Sequence, residues 1–227
     1  MFAIVIAMTG CDRVLGLRAN PIDSGDPLGD GTAPDAAATC FVEDFAGAAL
    51  DASRWTLLDV TNQHIQLEQD ESLRVRFNAP GDLGTNAIRT RPYDLRGSSV
   101  EVELVQASGA NTASAFTVVK AQQLTPSYAI DVRAGQLTFY NRGGGSANQP
   151  YDITAHRFLR FDFRSGSIGF QTSRDGLTWI PDAEMPYLDD PSGLEIWLGG
   201  QIVAEPLPAT TQASWDNLRI VRPACVM

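Results

Sequence analysis

The two glutamates of Glu101-Val102-Glu103 have the residue type and the spacing for acid–base chemistry. Successive side chains of an extended strand alternate between its two faces, so Glu101 and Glu103 share one face. Two carboxylates about 5–5.5 Å apart are what retaining hydrolysis of a glycosidic bond requires. The favoured interpretation is instead a ladder of cross-strand charges with Arg160, Arg164 or Arg133. Spacing alone does not exclude catalysis, so Glu101 and Glu103 are kept as the catalytic candidates.

Sugar binding commonly uses an aromatic ring beside planar polar side chains. Four residues near loops or strand ends combine these types and are the ligand-binding candidates: Trp197, Tyr140, Asn141 and Tyr187. Each of them alone is more often a core or rim residue than a ligand contact. The remaining tryptophans, Trp55, Trp179 and Trp215, are predicted to lie in the core.

Clusters of potential metal ligands are sparse in this sequence. Calcium prefers clustered carboxylate and carbonyl oxygens, and Asp189-Asp190-Pro191-Ser192-Gly193 is the loop that comes nearest. Asp189 and Asp190 are therefore the metal candidates. We predict no cofactor, although a structural calcium ion held by backbone oxygens is compatible with the sequence.

The composition excludes some classes of protein. A hydrophobic fraction of 44% in 227 residues is typical of a folded chain. A formal net charge of −10 argues against a nucleic-acid partner, because phosphate contacts need a basic face. Two histidines and three cysteines cannot form a dense metal cluster.

Two-residue alternation of apolar and polar side chains recurs along the chain after Cys40, which indicates strands with one buried face. Leu73-Arg74-Val75-Arg76-Phe77 and Val100-Glu101-Val102-Glu103-Leu104 are clear examples, and Ala134-Gly135 is one of several turn signals. About thirteen strands and no helix are predicted. The fold class is therefore all-β, a two-sheet antiparallel β-sandwich.

The start of the chain reads as a targeting segment. Phe2 to Met8 are seven apolar residues, too few for the roughly 20 that span a bilayer. The next residues, Met8-Thr9-Gly10-Cys11, resemble the lipobox of bacterial lipoprotein signal peptides. The resemblance implies cleavage before Cys11, a lipid on that thiol that anchors the chain to a membrane, and a place in the bacterial cell envelope, on the periplasmic or cell-surface side. The alternative is a buried first strand with Cys11 as a core thiol.

Three regions are predicted. Residues 1–10 form the lipoprotein signal peptide, residues 11–39 hold the lipidated cysteine and a flexible acidic linker, and residues 40–227 form the sandwich domain. If Cys11 carries lipid, Cys40 and Cys225 are left as a pair at the two ends of that domain, and an exported protein would form a disulfide between them. The alternative is two free thiols in a reducing compartment.

Three segments of the body resemble the concanavalin A-like lectin/glucanase superfamily. They are Phe41-Val42-Glu43-Asp44-Phe45 with its continuation to Trp55, the hairpin from His156 to Trp179, and Trp215-Asp216-Asn217-Leu218-Arg219-Ile220. The resemblance implies a jelly roll whose first and last strands are neighbours, which would place Cys40 beside Cys225. Laminarinase-type members carry Glu-x-Asp-x-Glu, and this chain lacks the third acid after Glu103.

These observations lead to three functional hypotheses. The favoured one is a membrane-anchored lipoprotein that presents a non-enzymatic domain for binding carbohydrate or another envelope component. The first alternative is a glycoside-hydrolase-like enzyme with atypical carboxylates, Glu101 and Glu103. The second is a structural module that contacts a protein partner.

Overall fold

The computed structural model describes residues 38–59, 64–78, 84–123, 125–164, 166–204, 207 and 211–222, with side chains from residue 41 onward. The signal peptide, Cys11 and the linker up to residue 37 lie outside these residues. The disulfide prediction also lies outside them, because neither Cys225 nor the side chain of Cys40 is described. Among the described residues, no helix is long and apolar enough to cross a membrane.

The described residues form fifteen strands together with turns and loops. In chain order the strands are β1 Ala38–Glu43, β2 Trp55–Leu57, β3 Ile65–Gln69, β4 Leu73–Phe77, β5 Gly84–Thr90, β6 Ser99–Gln106, β7 Thr112–Lys120, β8 Tyr128–Arg133, β9 Gln136–Asn141, β10 Ser146–Pro150, β11 Phe158–Asp162, β12 Ser167–Ser173, β13 Ile180–Pro186, β14 Leu194–Ile202 and β15 Thr211–Arg222.

Two antiparallel sheets divide these strands between them. Sheet A has the order β13-β12-β11-β6-β15-β4-β3, with β1 also paired to β15, and sheet B has the order β10-β9-β8-β7-β14-β5-β2. The first and last strands are thus neighbours, with Phe41 opposite Ile220. The predicted all-β, two-sheet antiparallel sandwich is confirmed.

The core lies between the two sheets and is rich in aromatic rings. Phe116 of β7 meets Phe161 of β11 with their ring centroids 4.5 Å apart. Trp215 of β15 is fully buried, and its indole Nε1 donates to the carbonyl of Gly199 on β14 at 3.3 Å. Burial of such apolar side chains is the main favourable contribution to folding. Because the inner faces are buried in the core, the outer face of each sheet is the surface available for a functional site.

The β8–β9 hairpin sets the register of one end of sheet B. Ala134 and Gly135 both have positive φ, 50° and 74°, as a two-residue type I′ turn requires. This turn pairs Arg133 with Gln136 and Asp131 with Thr138. Asp131 and Arg133 are two residues apart on one strand, so both side chains point to the outer face of sheet B.

Candidate functional site

A groove with a volume of about 230 Å³ runs over the outer face of sheet B. The residues that line it come from strands β5, β7, β8, β9 and β14 and from two loops: Leu58, Thr85, Ala87, Ala115, Thr117, Pro126, Asp131, Tyr140, Trp197, Gly199, Gly200 and Gln201. Neighbouring strands lie about 4.8 Å apart, so the groove crosses roughly 19 Å of sheet from β9 to β5. An extended ligand fits such a shape better than a compact one.

Small side chains on adjacent strands form the floor of the groove. Gly199 of β14 lies opposite Ala87 on one side and Ala115 on the other, and Ala115 lies opposite Asp131. A Cβ atom added at Gly199 would be 2.1 Å from the carbonyl oxygen of Asn86, so only glycine fits at this position. The row Ala87, Gly199, Ala115 therefore forms a trough that leads to Asp131.

Trp197 lines the trough, and its ring is fixed by neighbouring side chains. It is only 4% exposed and packs with Ala87 and Val119. Its Nε1 donates to Glu195 Oε2 at 3.0 Å, and Arg89 Nη1 lies 3.6 Å from the same oxygen. The ring is thus fixed by packing and by one hydrogen bond.

Asp131 is the carboxyl group that lines the groove at its β8 end. Tyr140 forms a hydrogen bond with it, and its Oδ1 atom is buried with no hydrogen-bond partner among the described residues. Burial raises the pKa of Asp131 from 3.8 to about 7, although the Tyr140 hydrogen bond and the charge of Arg133 act in the opposite direction. Burial, followed by the charge of Asp131, also raises the pKa of the Tyr140 hydroxyl well above its usual value.

A carboxyl group with a pKa near 7 can deliver a proton at neutral pH, which an ordinary aspartate cannot. Strongly raised carboxyl pKa values in a groove are typical of functional sites. The sequence pattern does not distinguish Asp131, because in Tyr128-Ala129-Ile130-Asp131-Val132-Arg133 it looks like any acid on the polar face of a strand. The signal that distinguishes it is the small size of Ala115 and Gly199 beside it, and that is visible only in the folded sheet.

The four ligand-binding candidates divide into two pairs. Trp197 and Tyr140 both line the groove. Asn141 instead accepts the backbone N–H of Gly145 at 3.1 Å inside a turn. Tyr187 donates its hydroxyl to the carbonyl of Phe163 at 2.7 Å and stacks on the Phe163 ring. The structure therefore brings Trp197 and Tyr140 together and leaves Asn141 and Tyr187 outside the groove.

Glu101 and Glu103 lie on sheet A. Arginine side chains and one asparagine amide form hydrogen bonds and ion pairs with their carboxylate oxygens. Arg160 Nε donates to Glu101 Oε1 at 2.8 Å, and Arg219 pairs with Oε2. The two carboxylates are 2% and 4% exposed.

Glu103 accepts from Arg157 Nε and from Asn217 Nδ2, each at 2.6 Å. The other two arginines named as ladder partners lie elsewhere, since Arg164 binds Asp162 and Arg133 is on sheet B. The catalytic candidate pair is thus placed in an ion-pair network and not in the groove.

The metal candidates are already hydrogen-bonded, Asp189 to side chains of other loops and Asp190 to its own loop. Asp189 accepts from Ser127 Oγ at 2.6 Å and from Arg142, and Asp190 accepts from Ser192 Oγ at 2.8 Å. The ammonium of Lys120 donates to the backbone oxygens of Asp190 and Ser192. Within the described ranges, no group of three or more His, Cys, Asp or Glu residues could hold a metal ion.

Comparison with known proteins gives structural neighbours only. No family model matches the sequence, and no curated protein matches it. SCLam, a non-specific endo-β-1,3(4)-glucanase from family GH16, has a TM-score of 0.63 and 11% identity, over 84% of this chain and 93% of that one. The laminarinase catalytic domain of Thermotoga petrophila RKU-1 has a TM-score of 0.61 and 9% identity, over 82% and 98%.

A third neighbour is a structure reported with endo-acting O-glycanases of the human gut microbiota. Its TM-score is 0.60 at 13% identity, over 81% of this chain and 99% of that one. The chain therefore has the concanavalin A-like jelly-roll fold. The favoured hypothesis of a non-enzymatic binding domain is contradicted, because these neighbours are glycoside hydrolases. The first alternative, a glycoside-hydrolase-like protein, fits better.

Proposed function

We propose that the chain is a glycoside-hydrolase-like protein that holds a polysaccharide in the groove over sheet B, where Asp131 protonates the glycosidic oxygen. The observation that carries this proposal is the partly buried carboxyl of Asp131, with a pKa of about 7, at the end of a trough of small residues. The similarity to endo-acting glucanases supports it.

The groove residues have distinct roles in the proposed reaction. The proton passes from Asp131 to the glycosidic oxygen while the bond from that oxygen to the anomeric carbon breaks. Water then adds to the anomeric carbon and releases a proton to solvent, and solvent returns a proton to the Asp131 carboxylate. The hydrogen bond from Tyr140 stabilises the carboxylate that Asp131 becomes. Hydrolysis of this kind commonly uses two carboxyl groups. We assign Asp131 the proton-donor half of that chemistry.

Filling the trough is the most selective test of where the substrate binds. Ala115 is only partly exposed and points into the groove beside Asp131. An Ala115→Leu variant adds three carbon atoms there without altering the core, and we expect it to lower polysaccharide turnover at least about tenfold. The measurement is release of reducing ends from a panel of β-glucans, galactans and uronic-acid polymers by the purified full chain.

The matched control is Gln66→Leu, which places the same side chain at an exposed position of β3 on the outer face of sheet A. It should leave turnover unchanged. Equal effects of the two leucines on turnover would place the reaction outside the groove. Absence of turnover by the native chain across the whole panel would refute the proposed function itself.

We also propose that a lipid on Cys11 anchors the chain in a bacterial cell envelope. The Met8-Thr9-Gly10-Cys11 motif supports this, together with the acidic, Pro- and Gly-rich stretch that follows it. In bacteria that express the full chain and are grown with labelled palmitate, we expect the native chain to carry label and to sediment with membranes. The Cys11→Ala variant should do neither. Labelling of the variant equal to that of the native chain would contradict the anchor.

A further inference from the structure

The outer face of sheet B carries an arginine with no acidic partner. Arg133 is exposed and forms no ion pair with the side chains that the structure describes. It follows Asp131 by two residues on β8 and acts on the charge of that carboxyl. An unpaired guanidinium beside a proposed proton donor is available to a ligand.

The other charges on this face are already balanced. The charged residues at outward positions of the described strands of sheet B are Arg89, Glu195, Asp131 and Arg133. Arg89 pairs with Glu195, and burial keeps Asp131 largely uncharged below about pH 7. One positive charge therefore remains on this face, although the whole chain has a net charge of −10. Screening over about 8–10 Å at moderate salt makes the local charge more important than the total.

Polar groups lie next to this arginine in the same cross-strand row. Arg133 is opposite Ala113, and Ala113 is opposite Gln201, which is opposite Thr85. Gln201 and Thr85 both line the groove. Arg133 and Gln201 lie on the two strands that flank Ala113, whose short side chain is buried at 2% exposure. A planar guanidinium binds a carboxylate or sulfate through two parallel hydrogen bonds, and the amide of Gln201 can add a third.

We propose that the substrate is an anionic polysaccharide, and that Arg133 binds a carboxylate or sulfate group on the sugar next to the bond that is cleaved. This inference rests on the proposed function and names the substrate class for the same groove. It also assigns Arg133 a role in specificity, because a neutral glucan would leave the guanidinium without a partner.

The test compares charged and neutral polymers with the purified full chain. Polygalacturonate supplies carboxylates, a carrageenan supplies sulfates, and laminarin is the neutral polymer. We expect the native chain to have at least about tenfold higher kcat/KM on one of the anionic polymers than on laminarin. Raising the salt concentration from 50 to 500 mM should reduce this ratio, since the interaction is electrostatic. The polymer that is preferred distinguishes carboxylate from sulfate.

Arg133→Gln should lower the ratio of anionic to neutral turnover at least about tenfold. The control is Arg76→Gln, on the outer face of sheet A, where Arg76 pairs with the exposed Glu68, and it should leave the ratio unchanged. Turnover confined to laminarin, or a ratio that Arg133→Gln does not change, would overturn the inference and leave the proposed function standing. Turnover of none of the polymers would overturn both.

Discussion

An Asp131→Asn variant is expected to cleave polysaccharide about 100- to 10,000-fold more slowly than the native chain, the range that loss of a general acid typically costs. The amide keeps the size of the side chain but cannot deliver the proton. The native chain should also lose turnover as the pH rises through about 7, where Asp131 becomes charged. The pH profile of kcat/KM for both proteins is the measurement. A variant as active as the native chain would remove Asp131 from the mechanism.

The same substitution should stabilise the fold at alkaline pH. Because the folded pKa is raised from 3.8 to about 7, the folded chain holds a proton that the unfolded chain has released between these values. Stability of the native chain therefore falls as the pH rises from about 4 to about 7, by on the order of 4 kcal/mol for a shift of about three pK units. Asparagine carries no charge and avoids this loss.

Urea unfolding at pH 5 and pH 8 measures the effect on stability. The free energy of unfolding of Asp131→Asn minus that of the native chain should be larger at pH 8 than at pH 5. Asp94→Asn is the control without pH dependence in this window. Hydrogen bonding with Arg96 lowers the pKa of Asp94 to about 2, so its carboxylate favours folding above about pH 4, and the variant should be less stable than the native chain by the same amount at pH 5 and at pH 8. A pH-independent difference for Asp131→Asn would mean that this carboxyl is not buried as described.

Glu101→Ala is expected to have the largest effect on stability among the charged residues of sheet A, about 3–5 kcal/mol. Glu101 is buried between Arg160 and Arg219. The side chain of Arg160 is only 12% exposed, with its guanidinium 3.9 Å from the centre of the Trp179 ring. Removal of the carboxylate leaves that cation buried without its ion-pair partner.

Urea unfolding at pH 7 tests this expectation. The matched control is Glu68→Ala, which removes an exposed pair with Arg76 and should cost less than about 1 kcal/mol. Similar losses in the two variants would show that the buried pair is no stronger than a surface pair. Glu103→Gln adds a check on chemistry, since it should leave turnover unchanged once the fraction of folded protein is taken into account.

The fold could be predicted from the sequence where one face of a strand is exposed to solvent and the other is buried. Leu73-Arg74-Val75-Arg76-Phe77 places three apolar residues inward, and β4 buries those three side chains. The sequence pattern does not indicate strands β10 and β13, because Ser146–Pro150 and Ile180–Pro186 contain proline and lack apolar–polar alternation. Both are edge strands, where proline is tolerated because one side of the strand donates no ladder hydrogen bonds.

The site was harder to predict because it depends on neighbours that are distant in sequence. Trp197 and Tyr140 could be selected by residue type, and both lie in the groove. Asn141 was selected for its position beside Tyr140 in the chain, but adjacent residues of a strand point to opposite faces. Asp131 and Glu101 have the same alternating pattern. What separates them is their cross-strand neighbours, Ala115 for Asp131 and arginines for Glu101.

The most direct test of the proposed function is a crystal structure of the Asp131→Asn full chain with an oligosaccharide cut from the preferred polymer. We predict a sugar chain lying across β5, β14, β7 and β8, with a glycosidic oxygen about 2.6–3.2 Å from the side chain at position 131. An oligosaccharide bound on the outer face of sheet A, beside Arg219 and the Ser173–Trp179 segment, would contradict the proposal.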